Sequence, residues 1–232
     1  MKKITLLLLT ILMVATSTVF AQKQTGYAIT FKITVSGTDD PNILNNVPES
    51  KTEYLFGNYA KTVVDAEGYS ISSITNGDKK VMDVIFDITG LGKYVVETTE
   101  EEMLKERENI KTDVKYSGEH KTIAGYDCEK VVVTTTDNET DEESTTIVYV
   151  SKDLNSCAGL NFAAYPGLVG YPLYMEIKQD VQGTEITQVM EATSVVVNKK
   201  IKITDFLLPS DGKKMTREEF AKMFGGGEDD DE

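Results

Sequence analysis

The chain has 232 residues, with 38 acidic and 24 basic side chains and a formal net charge of −14 at neutral pH. This surplus of negative charge repels the phosphates of nucleic acids and anionic lipid headgroups at long range, so we expect no nucleic-acid partner. The length provides an adequate core for one domain or two small ones without dependence on disulfides.

The first 21 residues have the pattern of a secretory signal peptide. Lys2 and Lys3 form a basic start, an apolar run follows over positions 4–14, and Val19 and Ala21 precede the predicted cleavage point. The run is short for a membrane span, and no cysteine near the cut is placed to accept a lipid. We therefore predict an exported protein, periplasmic or extracellular, that is not a lipoprotein and has no transmembrane segment.

The chain after the signal peptide has the pattern of a mainly β protein. From Gly26 to Val35 apolar and polar side chains alternate strictly, which is typical of a half-buried antiparallel strand. About ten such segments in meander order predict one large curved antiparallel sheet, an incomplete barrel with two short helices. We assign this single domain to residues 22–224. The acidic tail at 225–232 has no apolar residue to anchor it and is expected to be disordered.

One hairpin is predicted in detail. Asn76–Gly77 favours a two-residue type I′ turn, because both residues tolerate a positive φ. This turn pairs Thr75 with Asp78, and therefore Ile71 with Met82.

Capping boxes predict the two helices. Thr99 precedes Glu102 by three residues, and Thr216 precedes Glu219 by the same spacing. The helices are predicted to run to about Asn109 and from Arg217 to Phe224.

The stretch from Gly118 to Thr136 holds the only histidine and one of two cysteines. It predicts an extended arm, a turn at Gly125 and a strand with high β propensity. A cysteine nucleophile needs a base beside it, but His120 and Cys128 would lie about 26 Å apart on one extended strand. Only a reversal at Gly125 brings them together, so we predict no catalytic residue here and interpret His120 as an exposed structural side chain.

No metal site is predicted. Asp137, Glu139 and Asp141 alternate as in a calcium-binding loop, but the glycine at its sixth position and its distant glutamate are missing. Solvated charge at a hairpin tip explains the cluster better. No phosphate-binding glycine loop follows a strand, and we expect no cofactor.

The two cysteines are predicted to form a disulfide, as is usual in exported proteins. Strand pairing across the acidic turn places Val133 near Ile147, which leaves Cys157 within reach of Cys128 through a loop. Two buried free thiols are the alternative.

The loop from Ser156 to Pro172 is rich in glycine and apolar at once. Six of its side chains are too apolar for idle exposure to solvent and form the predicted ligand-binding set. They are Leu160, Phe162, Tyr165, Leu168, Val169 and Tyr171. The loop either lines a hydrophobic pocket, as a lid or wall, or simply plugs the end of the sheet.

Residues 121–133 read KTIAGYDCEKVVV. This run resembles the KTIAGYxCxK signature of an exported bacterial family, a domain of unknown function, and the likeness extends from about Gly26 to Phe224. The matching residues are Lys121, Thr122, Ile123, Ala124, Gly125, Tyr126, Cys128 and Lys130. The family is similar in fold to periplasmic lipoprotein carriers and lipid-binding envelope proteins. The resemblance implies an incomplete β-barrel around a hydrophobic cavity, with short helices as a lid.

Two functions follow as expectations. The first is a non-enzymatic envelope protein that binds an apolar ligand, such as a lipid or a lipidated partner, in the cavity of a curved sheet. The alternative is a structural or protein-interaction module whose core is filled by its own side chains. A hydrolase is the least favoured class, because no nucleophile–base pair is visible.

Overall fold

The computed structural model describes residues 25–45, 47–66, 68–154, 160–161, 165–181 and 183–224. The predicted signal peptide, the acidic tail, Cys157 and Phe162 lie outside these residues. Twelve strands within them form a single sheet. The strands are β1 Gly26–Ser36, β2 Ser50–Phe56, β3 Tyr59–Ala66, β4 Tyr69–Asn76, β5 Val81–Ile88, β6 Gly92–Thr98, β7 Ile110–Ile123, β8 Tyr126–Asp137, β9 Glu143–Ser151, β10 Tyr171–Val181, β11 Thr184–Val197 and β12 Lys213–Met215.

The sheet is curved and open, which confirms the predicted fold class with twelve strands in place of about ten. Its order is β12-β6-β5-β4-β3-β2-β1-β11-β10-β9-β8-β7, so β12 and β7 are the two edges. Every pairing is antiparallel except that of β12 with β6. The helices are α1 Pro41–Leu44, α2 Glu100–Glu106 and α3 Arg217–Phe224.

The front face of the sheet, defined by Ile29, Phe31 and Leu55, carries most of the core. The alternation predicted for β1 is confirmed, because Ile29, Phe31 and Ile33 are all buried. Two clusters continue along this face through β8, β9 and β10. Their best-buried members include Leu154, Leu173, Val131, Val133, Val148 and Val150.

The back face, defined by Tyr54, Lys61 and Ile74, is covered by the segment that follows β11. Ile201 and Phe206, near and within the 3₁₀ turn Ile203–Phe206, pack there against a cluster that includes Ile74. The C-terminal part of the chain therefore contributes a second, smaller core on the opposite side of the sheet.

The β4–β5 hairpin exists, but the predicted two-residue turn at Asn76–Gly77 is wrong. Thr75 pairs with Met82, and Ile71 with Phe86, around a four-residue loop. The Asn76 Oδ1 atom accepts the backbone N–H groups of Asp78 and Lys79, each at 3.1 Å, and this side-chain bonding favours the longer loop.

A two-residue hairpin turn with positive φ at both residues occurs at Ala124–Gly125 instead. The φ angles there are 48° and 86°, and Ile123 pairs with Tyr126 across the turn. The predicted reversal at Gly125 is confirmed, and it joins β7 to β8 directly.

Both predicted capping boxes are present. The Thr99 Oγ1 atom accepts the N–H of Glu102 at 3.3 Å, and the Glu102 carboxylate accepts the N–H of Thr99 at 2.7 Å. The corresponding bonds of Thr216 and Glu219 measure 3.1 and 2.8 Å. Helix α3 has the predicted bounds, whereas α2 ends at Glu106, three residues earlier than predicted.

A buried carboxylate lies on the back face. Asp83 is 7% exposed, and its Oδ1 atom has no hydrogen-bond partner among the described residues. On the neighbouring strand β6, Glu97 is the residue paired with Asp83. Burial, followed by the charge of Glu97, raises the pKa of Asp83, while Lys214 and Lys79 act in the opposite direction.

We predict that Asp83→Asn stabilises the protein at pH 7 by about 1 kcal/mol, because the ionised, unpaired carboxylate is costly to bury. The raised pKa means that the folded state binds more protons than the unfolded state between the two pKa values. Asp83 therefore lowers stability increasingly as the pH rises from about 4, near the unfolded pKa, through the folded value.

Urea unfolding of both proteins between pH 4 and pH 8 measures this effect as the difference between the two stability curves. Asp87→Asn, an exposed position on the same strand, is the control and should leave the curve in place. Parallel curves for Asp83→Asn and the wild type would contradict the assignment.

Candidate functional site

The described part of the apolar loop packs onto the front-face core. Leu160 contacts the cluster around Ile29, and Tyr165 contacts the neighbouring cluster, of which Leu168 is a buried member. Tyr171 is also buried, and Val169 is exposed. Phe162 lies outside the described residues. Of the six predicted ligand-binding residues, four therefore help to fill the core, and a ligand role for the set stays a prediction.

Hydrogen bonds close this loop on itself and tie it to the sheet. The buried side-chain amide of Asn161 donates to the carbonyls of Leu168 at 3.0 Å and Gly170 at 2.6 Å. The Tyr116 hydroxyl, on β7, accepts the N–H of Val169 at 2.7 Å. The prediction from sequence missed Asn161, whose only signal is a polar side chain inside an apolar run.

A polar network is set into the front face. The Tyr171 hydroxyl donates to the Glu53 carboxylate, which also accepts the Lys51 ammonium at 2.7 Å. The same ammonium lies 5.2 Å from the centre of the Phe31 ring. These side chains are largely withdrawn from water, so Tyr171 acts here as a partner of Glu53 within the core.

A groove of about 630 Å³ opens between α2, the start of β7 and the loop before β10. We call it the α2 groove. Its lining combines apolar side chains with charged ones at the rim and includes Lys80, Met103, Leu104, Arg107, Ile110 and Pro166. Ile110 belongs to the front face by its register with β8, so the groove opens on that side of the sheet.

The electrostatics of the α2 groove are mixed. The Lys80 ammonium lies 2.5 Å from the Glu100 carboxylate at the rim. The charge of Arg107 acts on Tyr165, whose pKa is raised by burial and lowered in part by that positive charge. The arrangement offers an apolar floor with both charge signs at its entrance.

The turn at Ala124–Gly125 brings the strands of His120 and Cys128 side by side without forming a catalytic pair. His120 lies opposite Glu129, and Cys128 opposite Lys121, so alternation directs the histidine and cysteine side chains to opposite faces. The His120 ring bonds to Asp127 at 2.9 Å. Burial raises the pKa of the Cys128 thiol to about 11, which disfavours a thiolate.

The predicted disulfide stays a prediction. Cys128 is buried and has no disulfide partner among the described residues, but its predicted partner Cys157 lies outside them. The predicted pairing of β8 with β9 is confirmed to within one residue, because Val133 pairs with Thr146 and Ile147 with Val132.

The described part of the chain has neither a metal-binding cluster nor a membrane-spanning helix. No group of three or more histidine, cysteine, aspartate or glutamate side chains there is placed to hold a metal ion. None of the helices in the same residues has the length and apolarity needed to cross a bilayer.

No protein-family model matches the chain, and no curated protein matches it. The resemblance to the KTIAGYxCxK family therefore stays an interpretation. Among solved structures, PNGF-II superposes on this chain with a TM-score of 0.57 and 16% sequence identity. The superposition covers 87% of this chain and 33% of the PNGF-II chain. MucB gives a TM-score of 0.35 with 11% identity, over 82% of this chain and 60% of its own.

The lipoprotein LppX of Mycobacterium tuberculosis gives a TM-score of 0.34 with 14% identity, over 74% of this chain and 88% of its own. The superpositions of MucB and LppX are both loose, with TM-scores below 0.5. The likeness to PNGF-II concerns the fold alone at this identity. The chain spans about a third of the length of PNGF-II and is similar in fold to that part of it.

Proposed function

We propose that this protein is an exported, non-enzymatic binding protein that takes up an apolar or amphiphilic ligand, such as a lipid, on the front side of its curved sheet. The observation that carries the proposal is the α2 groove. Its volume of about 630 Å³ falls in the range of small-molecule sites, and Met103, Leu104 and Ile110 give it apolar walls.

The charged rim suggests how such a ligand is oriented. Lys80 and Arg107 lie at the groove together with Glu100 and Glu108, so a polar head of either charge finds a partner there. An acyl chain would then lie along the apolar walls with its head at the entrance. This arrangement favours an amphiphile over a ligand that is apolar throughout.

The front face offers further apolar surface for such a ligand. Ile71, Val84 and Phe86 on β4 and β5 are only partly buried, although alternation places them on the front face. Phe220 of α3 covers part of this area, since its ring stacks on Phe86 at 4.1 Å. This contact supports a role for α3 as part of a lid over the front face.

Binding of a fatty acid that carries an environment-sensitive fluorophore tests the proposal. Leu104→Asp adds a carboxylate to the groove wall at a side chain that is 63% exposed, so folding should persist. We expect it to weaken binding at least tenfold, because the acyl chain would desolvate the new charge. Leu91→Asp, at a turn residue that is 56% exposed and outside the groove, is the matched control.

Native mass spectrometry of protein purified from its own host gives an independent readout, with co-purified lipid as the expected result. Bare protein that also fails to take up the fluorescent fatty acid would refute the proposal. Equal binding by the Leu104→Asp and Leu91→Asp variants would show that the ligand does not bind in the α2 groove.

A structural or protein-interaction module is the second candidate. One observation favours it: Leu160, Leu168 and Tyr171 fill the middle of the front face with the protein's own side chains. The two candidates differ in whether the α2 groove is occupied, which the same binding experiment decides.

A further inference from the structure

A second cavity lies on the back face, separated from the α2 groove by the sheet. It measures about 290 Å³ and forms where the segment after β11 crosses β2 and β3. Buried Ile201 and Phe206 contribute to its lining, together with Tyr54 and Val63 from the strands. We propose that this back-face pocket binds a compact aromatic carboxylate.

The pocket wall is held in place by hydrogen bonds of the chain itself. The N–H of Asn198 donates to the carbonyl of Gly26 at 2.8 Å, and the N–H of Ile201 donates to the carbonyl of Asn198 at 3.2 Å. The N–H of Lys202 donates to the Asp205 carboxylate at 2.9 Å. A wall fixed in this way requires little ordering when a ligand binds.

Gly26 allows the segment to approach the sheet this closely. A Cβ atom at Gly26 would lie 2.7 Å from both the Asn198 carbonyl oxygen and the Ile201 Cβ atom. The position therefore favours glycine, because a larger residue would push the pocket wall away from β1.

The charge at the rim selects an anion. Lys61 and Lys200 both line the pocket, and within the described chain neither ammonium takes part in a salt bridge. Asp205 is the only acidic side chain among the described lining residues, and it already accepts the N–H of Lys202. Two lysines against one carboxylate leave the rim positive on balance, in a chain of net charge −14.

The shape and chemistry of the pocket select a compact planar body. Its volume lies at the lower limit for ligand sites, which suits one or two fused rings better than a long chain. The rings of Tyr54 and Phe206 line it, and aromatic side chains favour stacked or tilted contacts with another ring. Phe206 already makes such a contact with Tyr59, at 5.9 Å between ring centres.

Isothermal titration with 2-naphthoate tests this inference, with the uncharged 2-naphthamide as the matched probe. We expect the acid to bind and the amide to bind more weakly. Lys61→Gln and Lys200→Gln should each weaken 2-naphthoate binding about threefold to fivefold, the range for partly exposed charge pairs. Lys199→Gln, in the same segment but outside the pocket, is the control.

Val63→Phe provides a second test. The larger side chain fills the pocket and should abolish binding of 2-naphthoate. Thermal unfolding of each variant verifies that it is folded. Absence of binding by the wild type, equal affinity for acid and amide, or unchanged affinity in both lysine variants would each overturn the proposal. Loss of 2-naphthoate binding in Leu104→Asp would also overturn it, because the acid would then occupy the α2 groove.

Discussion

Replacing Phe31 with alanine is expected to lower the free energy of unfolding by about 3–5 kcal/mol. The Phe31 side chain is 1% exposed and lies at the centre of the front-face core. Its strand is in the middle of the sheet, where Phe31 faces Ala192 on one side and Lys51 on the other. Two effects add up in this loss. The protein loses the free energy gained by burying the aromatic ring, and a cavity remains because the paired strands cannot move together to fill it.

Urea unfolding followed by circular dichroism measures this loss as a lower midpoint at an unchanged slope. Tyr69→Ala removes an aromatic ring that is 46% exposed and should cost far less. Phe31→Leu keeps most of the volume and is expected to lose less than about 1.5 kcal/mol. Similar losses for Phe31→Ala and Tyr69→Ala would show that the core is centred elsewhere.

The part of the fold that was predicted correctly depends on local patterns. The alternation in β1 fixes which side chains share a face, because successive residues of a strand point to opposite sides. The capping boxes at Thr99 and Thr216 involve residues three positions apart, so they form wherever the helix does. Such features need no information about distant parts of the chain.

The hairpin at Asn76–Gly77 was predicted with the wrong turn because a neighbouring loop takes part in it. The N–H of Gly77 donates to the Asn58 carbonyl, and the Asn58 side chain donates to Asp78, both at 2.7 Å. These bonds join two loops that are close only because β3 and β4 pair. Tertiary contacts therefore overrode a strong local turn preference.

The sequence also did not indicate which of the two faces of this hairpin is buried more deeply. Ile71 and Val84 share the front face and are only partly buried, whereas Ile74 and Ile85 on the back are buried. They are buried because Ile201 and its neighbours fold over them from a distant part of the chain. A strand that is apolar on both sides leaves this choice open until its covering segment is known.

The candidate site was predicted only in part for a related reason. Apolar side chains in a loop indicate that the loop avoids water, but they do not distinguish a packed plug from the wall of a pocket. Leu160 and Leu168 pack onto the core. The α2 groove depends instead on Met103 and Leu104 of a short helix, which the sequence presents as an ordinary amphipathic segment.

The side chain of Asn161 provides the sharpest test of how the apolar loop is held. We predict that Asn161→Asp lowers the free energy of unfolding by about 2–4 kcal/mol, because two buried carbonyls lose their donor. The substitution preserves shape but replaces an amide donor with a carboxylate, which cannot donate to the carbonyls of Leu168 and Gly170 once ionised. Asn161→Ala should lose a similar amount through the same unpaired carbonyls.

Hydrogen exchange and urea unfolding separate a loosened loop from a damaged core. If Asn161 fastens the loop, the N–H of Val169, now bonded to the Tyr116 hydroxyl, exchanges faster in Asn161→Asp, while Val131 and Val148 in the core stay protected. Asn138→Asp, at an exposed turn position, is the matched control and should change neither measurement. A loss in Asn161→Asp no larger than in Asn138→Asp would mean that packing of Leu168 alone holds the loop, and that the two amide bonds contribute little.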